Sequence, residues 1–357
     1  MEDELEEIHF KRVLNAFSSF STRMNRKILK HFDDWNRLTL EDQEIIPEYL
    51  QKLNLIKESF KINQEFFDTI VSYTTGSSFN YENGNEDLCE DLRLRPTDRD
   101  YENLRSTLRQ LVREWSDEGS NERPVCFNPI MTFLKDNFHD NLRDIKVLVP
   151  GAGLGRLAWE INRLGFVVQG NEFSLYMLLI SQLILNSAFK RHQFTVQPFS
   201  FPLSNHLSAE DSLRIIRIPD VTPDTGQEQS GDFSMIAGDF LEIYGRAEEL
   251  SSWDCVVTCF FLDTAQNVLE YLRAIFGALK PGGLWINLGP LQYHFESAPE
   301  LSIELTWAEV VKAAERIGFE FKEKRVLDDF MGYAHDNKGL SRTMYRAVFS
   351  VAHKPLE

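Results

Sequence analysis

The sequence carries little positive charge and has no long uninterrupted apolar run. Its 357 residues include 38 Lys and Arg against 55 Asp and Glu, so the formal net charge is −17. Nucleic acid and anionic membrane surfaces would be repelled overall, and neither is an expected partner. The longest apolar-rich stretch, 174–189, contains polar residues and falls short of the roughly 20 residues that span a bilayer.

Cysteines are also few. They lie at Cys89, Cys126, Cys255 and Cys259, a number and spacing that exclude a disulfide framework and a zinc site. The acidic stretch 1–7 lacks the basic and apolar regions of a signal peptide. These absences predict a soluble protein without a metal, located in the cytoplasm, with the nucleus as a second location.

Apolar periodicity divides the chain into two parts. Residues 1–118 are predicted to be helical, with a polar loop at 74–100. Residues 119–357 alternate short β-branched runs with amphipathic helices, which predicts an α/β fold with a mostly parallel, seven-stranded sheet. A polar surface insertion is expected near 190–232, most polar at 219–231. The predicted strands lie near 145–149, 166–171, 233–237, 253–260, 284–288, 319–326 and 345–352.

A glycine loop follows the first predicted strand. Gly151 and Gly153 allow a sharp turn and a close approach of the backbone to a ligand, at the start of a helix whose N–H groups attract anions. A dinucleotide fingerprint would have its third glycine at 156, where this chain has Arg156; its third glycine is Gly155. The loop therefore favours an adenosine cofactor other than NAD, although a simple tight turn remains the alternative.

Carboxylates follow the next three predicted strands. Glu172 stands where a carboxylate accepts ribose hydroxyls, or else it only opens the next helix. Asp239 is predicted to contact the adenine of the cofactor, and the ring of Phe240 to cover it. The alternative is that Asp239 belongs to a turn and Phe240 to the core. Asp263 follows the fourth strand, beside the first, and is the leading substrate residue. The helix after it is expected to end at a turn formed by 280–283.

Four runs carry a specific resemblance: VPGAGLGRLAWE at 149–160, QGNE at 169–172, CFFLDTA at 259–265 and WINLGPLQYHFE at 285–296. They resemble the carnosine N-methyltransferase family, which belongs to the Rossmann-like class I methyltransferases. The likeness extends from about Tyr101 to the end of the chain. It implies transfer of a methyl group from S-adenosylmethionine to the histidine ring of carnosine, which gives anserine, or of a related histidine-containing peptide.

The resemblance also implies site residues. Those that match cofactor contacts are Gln110, Arg113, Gly151, Gly153, Glu172, Asp239, Phe240 and Cys259. Gln110 and Arg113 lie three apart, on one face of a predicted helix, so they suit a capping role; a solvated polar face is the alternative. Those that match substrate contacts are Asp263, which is also the expected catalytic residue, His294, Tyr345 and Phe330.

Two departures from the family pattern concern the substrate. Phe330 and Thr343 stand where the family has tyrosines, so two phenolic hydroxyls are missing and the dipeptide that is methylated can differ from carnosine. A nicotinamide-dependent oxidoreductase and a non-catalytic scaffold are the alternative functions. A homodimer contact through 1–60, where Phe10, Phe17 and Phe20 form either a core or an interface, also stays open.

Overall fold

The computed structural model describes residues 2–76, 91–188, 190–223 and 231–356. Its helices are α1 (Glu2–Asn36), α2 (Leu40–Ile45), α3 (Glu48–Thr75), α4 (Asp98–Trp115), α5 (Arg123–Asn137), α6 (Arg156–Asn162), α7 (Leu175–Ser187), α8 (Ala209–Ser212), α9 (Phe240–Tyr244), α10 (Val268–Ala278) and α11 (Trp307–Ile317). Its strands are β1 (Lys146–Pro150), β2 (Val167–Glu172), β3 (Phe194–Val196), β4 (Ile216–Ile218), β5 (Phe233–Ala237), β6 (Trp253–Cys259), β7 (Leu279–Gly289), β8 (Glu320–Val326), β9 (Met331–Gly332), β10 (Met344–Tyr345) and β11 (Val348–His353).

The chain divides into two compact units. The helical unit contains Met1–Gly119, Gln182–Thr222 and Ala334–Arg342; the sheet unit contains Ser120–Ser181, Pro223–Tyr333 and Thr343–Glu357. The first boundary between the two units, after Gly119, lies one residue from the predicted boundary at 118. The other two segments of the helical unit come from the region that the sequence pattern assigned to the sheet domain. No helix of the described residues has the length and apolar character needed to cross a bilayer.

Two long helices form the core of the helical unit. The rings of Phe17 and Phe20 on α1 each meet Phe67 of α3 edge to face, with centroids 5.1 and 5.0 Å apart. Edge-to-face contacts of this kind add to the hydrophobic stabilisation of buried rings. Phe17 and Phe20 therefore lie in the core of the helical unit.

The segment after α7 contributes buried residues to the helical unit. Strands β3 and β4 pair in antiparallel, and Asn63 of α3 binds the residues beyond β3. Its amide donates to the Gln197 carbonyl at 3.0 Å and accepts from the Gln197 N–H at 2.8 Å. Ile216 and Ile218 of β4 are buried. Residues 77–90, with Cys89, and 224–230, which belong to the predicted loop and polar insertion, lie outside the described residues.

A partly buried ionic network joins three segments of the helical unit. The Arg214 guanidinium binds both Glu118 oxygens, at 2.9 and 3.0 Å, and one Asp336 oxygen at 2.8 Å. The second Asp336 oxygen lies 2.6 Å from His206 Nε2. These bonds hold down the pKa of the Asp336 carboxyl despite its burial. The network fixes 334–342 to the helical unit.

The sheet unit is built on seven strands in the order β5-β2-β1-β6-β7-β11-β8. β1 pairs in parallel with β2 on one side and with β6 on the other, while β11 runs antiparallel to both β7 and β8. This is the predicted mostly parallel, seven-stranded α/β sheet. The strand order reverses at β1, which creates a crevice at the carboxyl ends of β1 and β6.

Helices cover both faces of this sheet. Val147 and Val149 of β1 pack in one apolar cluster with α5 and α6, and Leu148 packs in the other with α10 and α11. Successive strand residues point to opposite faces, so a continuous apolar strand is what a sheet covered on both sides requires. The rigid scaffold that results holds the loops at the carboxyl edge of the sheet.

Strand ends differ from the predictions in two places. The expected turn at 280–283 lies inside β7, which begins at Leu279: Gly282 N donates to Lys354 O at 2.8 Å, and Lys354 N donates to Gly283 O at 3.0 Å. The backbone there is paired, and a register shift against β6 absorbs the glycines. The last predicted strand is split into β10, which pairs with β9, and β11.

Candidate active site at the carboxyl edge of the sheet

The residues predicted from strand ends meet along one edge of the sheet. Pro150 pairs with Asn171, Glu172 with Ala237 and Cys259 with Leu288. The glycine loop, Glu172, Asp239, Asp263 and His294 follow these adjacent strands. They therefore share the edge at which open α/β sheets bind ligands.

The glycine loop adopts a conformation that favours glycine. Gly151, Gly153 and Gly155 have φ of 64°, 58° and 82°, in the left-handed region. A Cβ on Gly151 would lie 2.5 Å from Phe261 Cδ2, so the ring itself requires a glycine there. Arg156 begins α6, is buried and binds Glu160 at 2.9 Å.

Glu172 fixes this loop from the end of β2. Its carboxylate accepts from Gly153 N at 2.8 Å and from Phe173 N and Ser174 N at 2.9 and 2.8 Å. Burial raises the pKa of the carboxyl, and these N–H groups oppose the rise. The side chain thus binds backbone N–H groups just before α7 as well as one in the glycine loop. A carboxylate has about four lone-pair sites, so Glu172 retains capacity for a ligand hydroxyl.

Asp239 and Phe240 lie at the end of β5, next to Glu172. Asp239 caps α9, since its Oδ1 accepts from Leu241 N and Glu242 N at 2.8 and 3.1 Å. Phe240 is only 3% exposed and packs on Phe261 and other rings of the core. This is the turn Asp and core Phe that the sequence left as an alternative. The adenine role of the pair stays a prediction, and Asp239 Oδ2 is the atom available for it.

Asp263 is 4% exposed, in the short turn Leu262–Thr264 after β6. Its Oδ2 accepts from Gln292 N at 2.9 Å, and its carbonyl accepts from His294 N at 3.0 Å. Burial raises the pKa of this carboxyl, while the Gln292 N–H and the nearby His294 ring lower it. A carboxylate that is buried yet anchored by one N–H is a rigid acceptor for a further donor.

Three aromatic side chains pack together beyond the end of β6. Phe260 has a φ of 54°, which is strained for a phenylalanine, and its ring meets Tyr345 edge to face at 5.9 Å and Tyr333 at 4.7 Å. Tyr345 is therefore held next to the turn that carries Asp263. Phe330 is 59% exposed, before β9. Its assignment to the substrate stays a prediction.

The three other predicted cofactor residues lie in different parts of the chain. Cys259 ends β6, half-buried against the first apolar cluster. Gln110 and Arg113 are on α4 in the helical unit. Arg113 is 5% exposed, with Nη1 3.6 Å from Glu114 Oε1, so its side of α4 is not a solvated face. Their contact with the cofactor stays a prediction.

Two residues of the site were not singled out from the sequence. Asn171 is buried; its side chain donates to Gly238 O at 2.9 Å, and its carbonyl accepts from Ala152 N at the same distance. It links the loops after β1 and β5. Gln292 holds Asp263 through its backbone. Both lie within the runs that carry the resemblance, but only hydrogen bonds reveal these roles. In the described residues no three His, Cys, Asp or Glu side chains are grouped to hold a metal ion.

Comparisons with known proteins show the family of this chain. The family model described as Carnosine N-methyltransferase matches residues 90–356. The carnosine N-methyltransferase of Mus musculus is 39% identical, over 99% of this chain and 88% of the mouse protein. That of Schizosaccharomyces pombe is 36% identical, over 98% of this chain and 97% of the yeast protein. A solved SAM-dependent methyltransferase of Methanosarcina mazei covers 63% of this chain and 98% of its own, with 15% identity and a TM-score of 0.43. On the family match and the two relatives, this chain belongs to the carnosine N-methyltransferase family.

Proposed function

We propose that this protein transfers a methyl group from S-adenosylmethionine to a ring nitrogen of the histidine in carnosine or in a related small histidine-containing peptide. Membership of the family supports the reaction. The buried Asp263 at the carboxyl edge of the sheet is the observation that supports a mechanism for it.

The mechanism depends on the tautomer of the imidazole. A neutral imidazole has one N–H and one nitrogen with a free lone pair. If the Asp263 carboxylate accepts a hydrogen bond from the N–H, the ring is fixed with its lone pair on the opposite nitrogen. As the lone pair of that nitrogen bonds to the methyl carbon, the carbon–sulfur bond breaks and its electron pair stays on the sulfur. The positive charge passes to the ring, where the ionised Asp263 stabilises it until the N–H proton is lost. Asp263 therefore orients the acceptor and neutralises the charge.

The residues at the switch point fit the cofactor. S-adenosylmethionine supplies an electrophilic methyl group on a positively charged sulfur. Glu172 is proposed to accept ribose hydroxyls, and Asp239 to accept from the adenine amino group. The left-handed glycines keep Cβ atoms out of the loop that faces the ligand. Gln110 and Arg113 are proposed to bind the carboxylate end, for which a guanidinium is the suitable partner.

The alternatives are less favoured. An NAD-dependent oxidoreductase would carry a glycine in place of the buried Arg156, which here binds Glu160. A scaffold with a vestigial site would not need the hydrogen bonds that hold Glu172 and Asp263 in place.

Turnover of isotopically labelled S-adenosylmethionine with carnosine tests the proposal. We expect methylated peptide to accumulate with time and enzyme concentration, and S-adenosylmethionine, but not NAD, to raise the melting temperature. A protein that is stabilised by NAD alone, or that leaves carnosine and other imidazole dipeptides unmethylated, would contradict the proposal.

A further inference from the structure

The strand at one edge of the seven-stranded sheet borders a groove. This strand is β8, which pairs with β11 on one side. Among the described residues no strand pairs with its other side. An unpaired edge presents backbone N–H and C=O groups to which an extended chain can bind as an additional strand. The free edge of β8 is therefore a place where a peptide can add to the sheet.

The groove lies between α5 and β8 and has a volume of about 630 Å³. Its apolar lining includes Leu327, Phe133 and Phe349, and the two rings have their centroids 6.5 Å apart. Pro129, inside α5, also lines the groove and has no N–H to donate to the carbonyl of Val125, a further lining residue. The groove thus combines an apolar surface with a carbonyl that lacks its usual helical donor.

The charge of the groove is negative. Asp136, Asp328 and Asp329 line it and are exposed. Their carboxylates make no ion pair or hydrogen bond within the ranges that the structure describes. Glu323, which also lines the groove, is paired with Arg325, with Oε1 2.7 Å from Nε. The carboxylates without a partner attract a ligand of positive charge.

One guanidinium of the protein already lies in this lining. Arg325 donates to Glu323 and covers the ring of Phe349, with Cζ 4.9 Å from the ring centroid. A basic side chain in the groove therefore meets both a carboxylate and an aromatic face. The neighbouring Lys324 binds Glu315 of α11 at 3.2 Å, on the opposite face of the sheet, so it does not neutralise the groove.

We propose that β8 and this groove bind an extended, basic segment of a partner protein. The segment adds a strand to the free edge of β8, and its alternate side chains point toward the groove. Lysine or arginine at those positions pairs with Asp136, Asp328 and Asp329, while the aliphatic stems lie on the apolar lining. A small cation has no backbone to pair with β8, so the edge strand selects a peptide. This binding does not depend on the proposed reaction.

Fluorescence anisotropy with the full chain tests the proposal. The probe is a labelled heptapeptide that alternates lysine and valine and begins and ends with lysine. Its controls are the same peptide with every backbone nitrogen methylated, the same peptide with glutamate for lysine, and spermidine, a polyamine, as a competitor. We expect saturable binding of the probe, with a Kd that rises with salt. The three controls should bind or compete about tenfold more weakly or less.

Two triple variants separate the groove from the general negative charge of the protein. The first combines Asp136→Asn, Asp328→Asn and Asp329→Asn. The control removes as many carboxylates from exposed positions that do not line the groove, by Glu242→Gln, Glu248→Gln and Glu300→Gln. The first variant should weaken binding of the probe about tenfold, and the control should stay within about twofold of the wild type.

Amide hydrogen exchange identifies the mode of binding. The bound probe should slow exchange in β8, because an added strand protects backbone N–H groups that otherwise face solvent. Unchanged exchange in β8 with the probe bound would overturn the proposal. So would probe affinity that is matched by spermidine, by the methylated peptide or by the acidic peptide. An equal loss of affinity in the two triple variants, or no binding of the probe to the wild-type protein, would overturn it as well.

Discussion

Gly153 and Glu172 are 19 residues apart in the chain, and the backbone N–H of Gly153 donates to Glu172 Oε2 at 2.8 Å. This bond joins the loop after β1 to the end of β2. The loop conformation is therefore set by the protein itself, and little conformational entropy remains to be lost when a ligand binds. The carboxylate proposed to bind the ribose is the same group that shapes the loop.

The first prediction concerns the backbone at Gly153. Gly153→Val places a β-branched residue at a φ of 58°, in the loop whose Gly153 N–H binds Glu172. We expect binding of S-adenosylmethionine to be lost in isothermal titration calorimetry. Gly76→Val is the control, since Gly76 has a nearly equal φ of 61° and open space around its Cα. That variant should lose roughly 1–2 kcal/mol of stability and no affinity. Equal affinity in the two variants would contradict the position of the loop.

The second prediction concerns the charge of Glu172. Burial raises its folded-state pKa, so the carboxylate takes up a proton at a pH above the 4.5 of an ordinary glutamate. Affinity for S-adenosylmethionine should fall as the pH drops through that raised pKa. Glu172→Gln should bind more weakly at neutral pH, by about tenfold or more, and lose this pH dependence. Titrations from pH 7.5 to 5 measure both effects, with the exposed Glu242→Gln as control. A Glu172→Gln variant that keeps wild-type affinity would remove this residue from the cofactor site.

The third prediction separates activity from stability at Asp263. Its raised pKa means that the ionised carboxylate is less favourable in the folded than in the unfolded protein. This cost is absent below the pKa of the unfolded state, grows as the pH rises from there through the folded pKa, and is constant above it. Asp263→Asn should therefore lower kcat by roughly 10²–10⁴, leave cofactor binding intact, and keep or raise the melting temperature at pH 7. The exposed Asp328→Asn is the control. Wild-type turnover in Asp263→Asn would exclude the proposed mechanism.

The fourth prediction concerns the ionic network of the helical unit. The pKa of Asp336 is lowered, so its ionisation stabilises the fold above the ordinary carboxyl pKa, and that stabilisation disappears as the pH falls through the folded value. Asp336→Asn leaves Arg214 and His206 without this partner and should cost about 3 kcal/mol of unfolding free energy at pH 7. Urea unfolding at pH 7 and at pH 3 measures the difference, which should shrink in acid. A similar loss in the exposed control Asp329→Asn, or a loss that does not change with pH, would contradict this role.

The sequence predicted the parts of the fold that depend on local pattern. The predicted limits of strand β5, 233–237, are the observed ones. The glycine loop was predicted between a strand and a helix, and Glu172 at the end of the next strand, and both lie there. These features could be predicted because each depends on a few neighbouring residues: the alternation of apolar and polar residues, a glycine, or a carboxylate at a strand end. The resemblance then supplied His294 and Tyr345, which no local pattern distinguishes from structural residues.

Long-range pairing could not be predicted in the same way. The grouping of 182–222 with the N-terminal helices depends on bonds such as those of Asn63 to Gln197, which span 134 positions. The glycines at 282 and 283 predict a turn, but pairing with Lys354 keeps them in β7. The position of Phe240 in the core could not be predicted either, because it depends on contact with Phe261, which follows β6.

Location of the transferred methyl group tests the central claim most directly. Carnosine is incubated with wild-type protein and S-adenosylmethionine carrying a ¹³C-labelled methyl group, and the product is examined by heteronuclear NMR. The account predicts one labelled methyl resonance correlated with the ring protons of the imidazole, and its near absence with Asp263→Asn. A labelled methyl group on the terminal amine, or no labelled product with the wild-type protein, would contradict it.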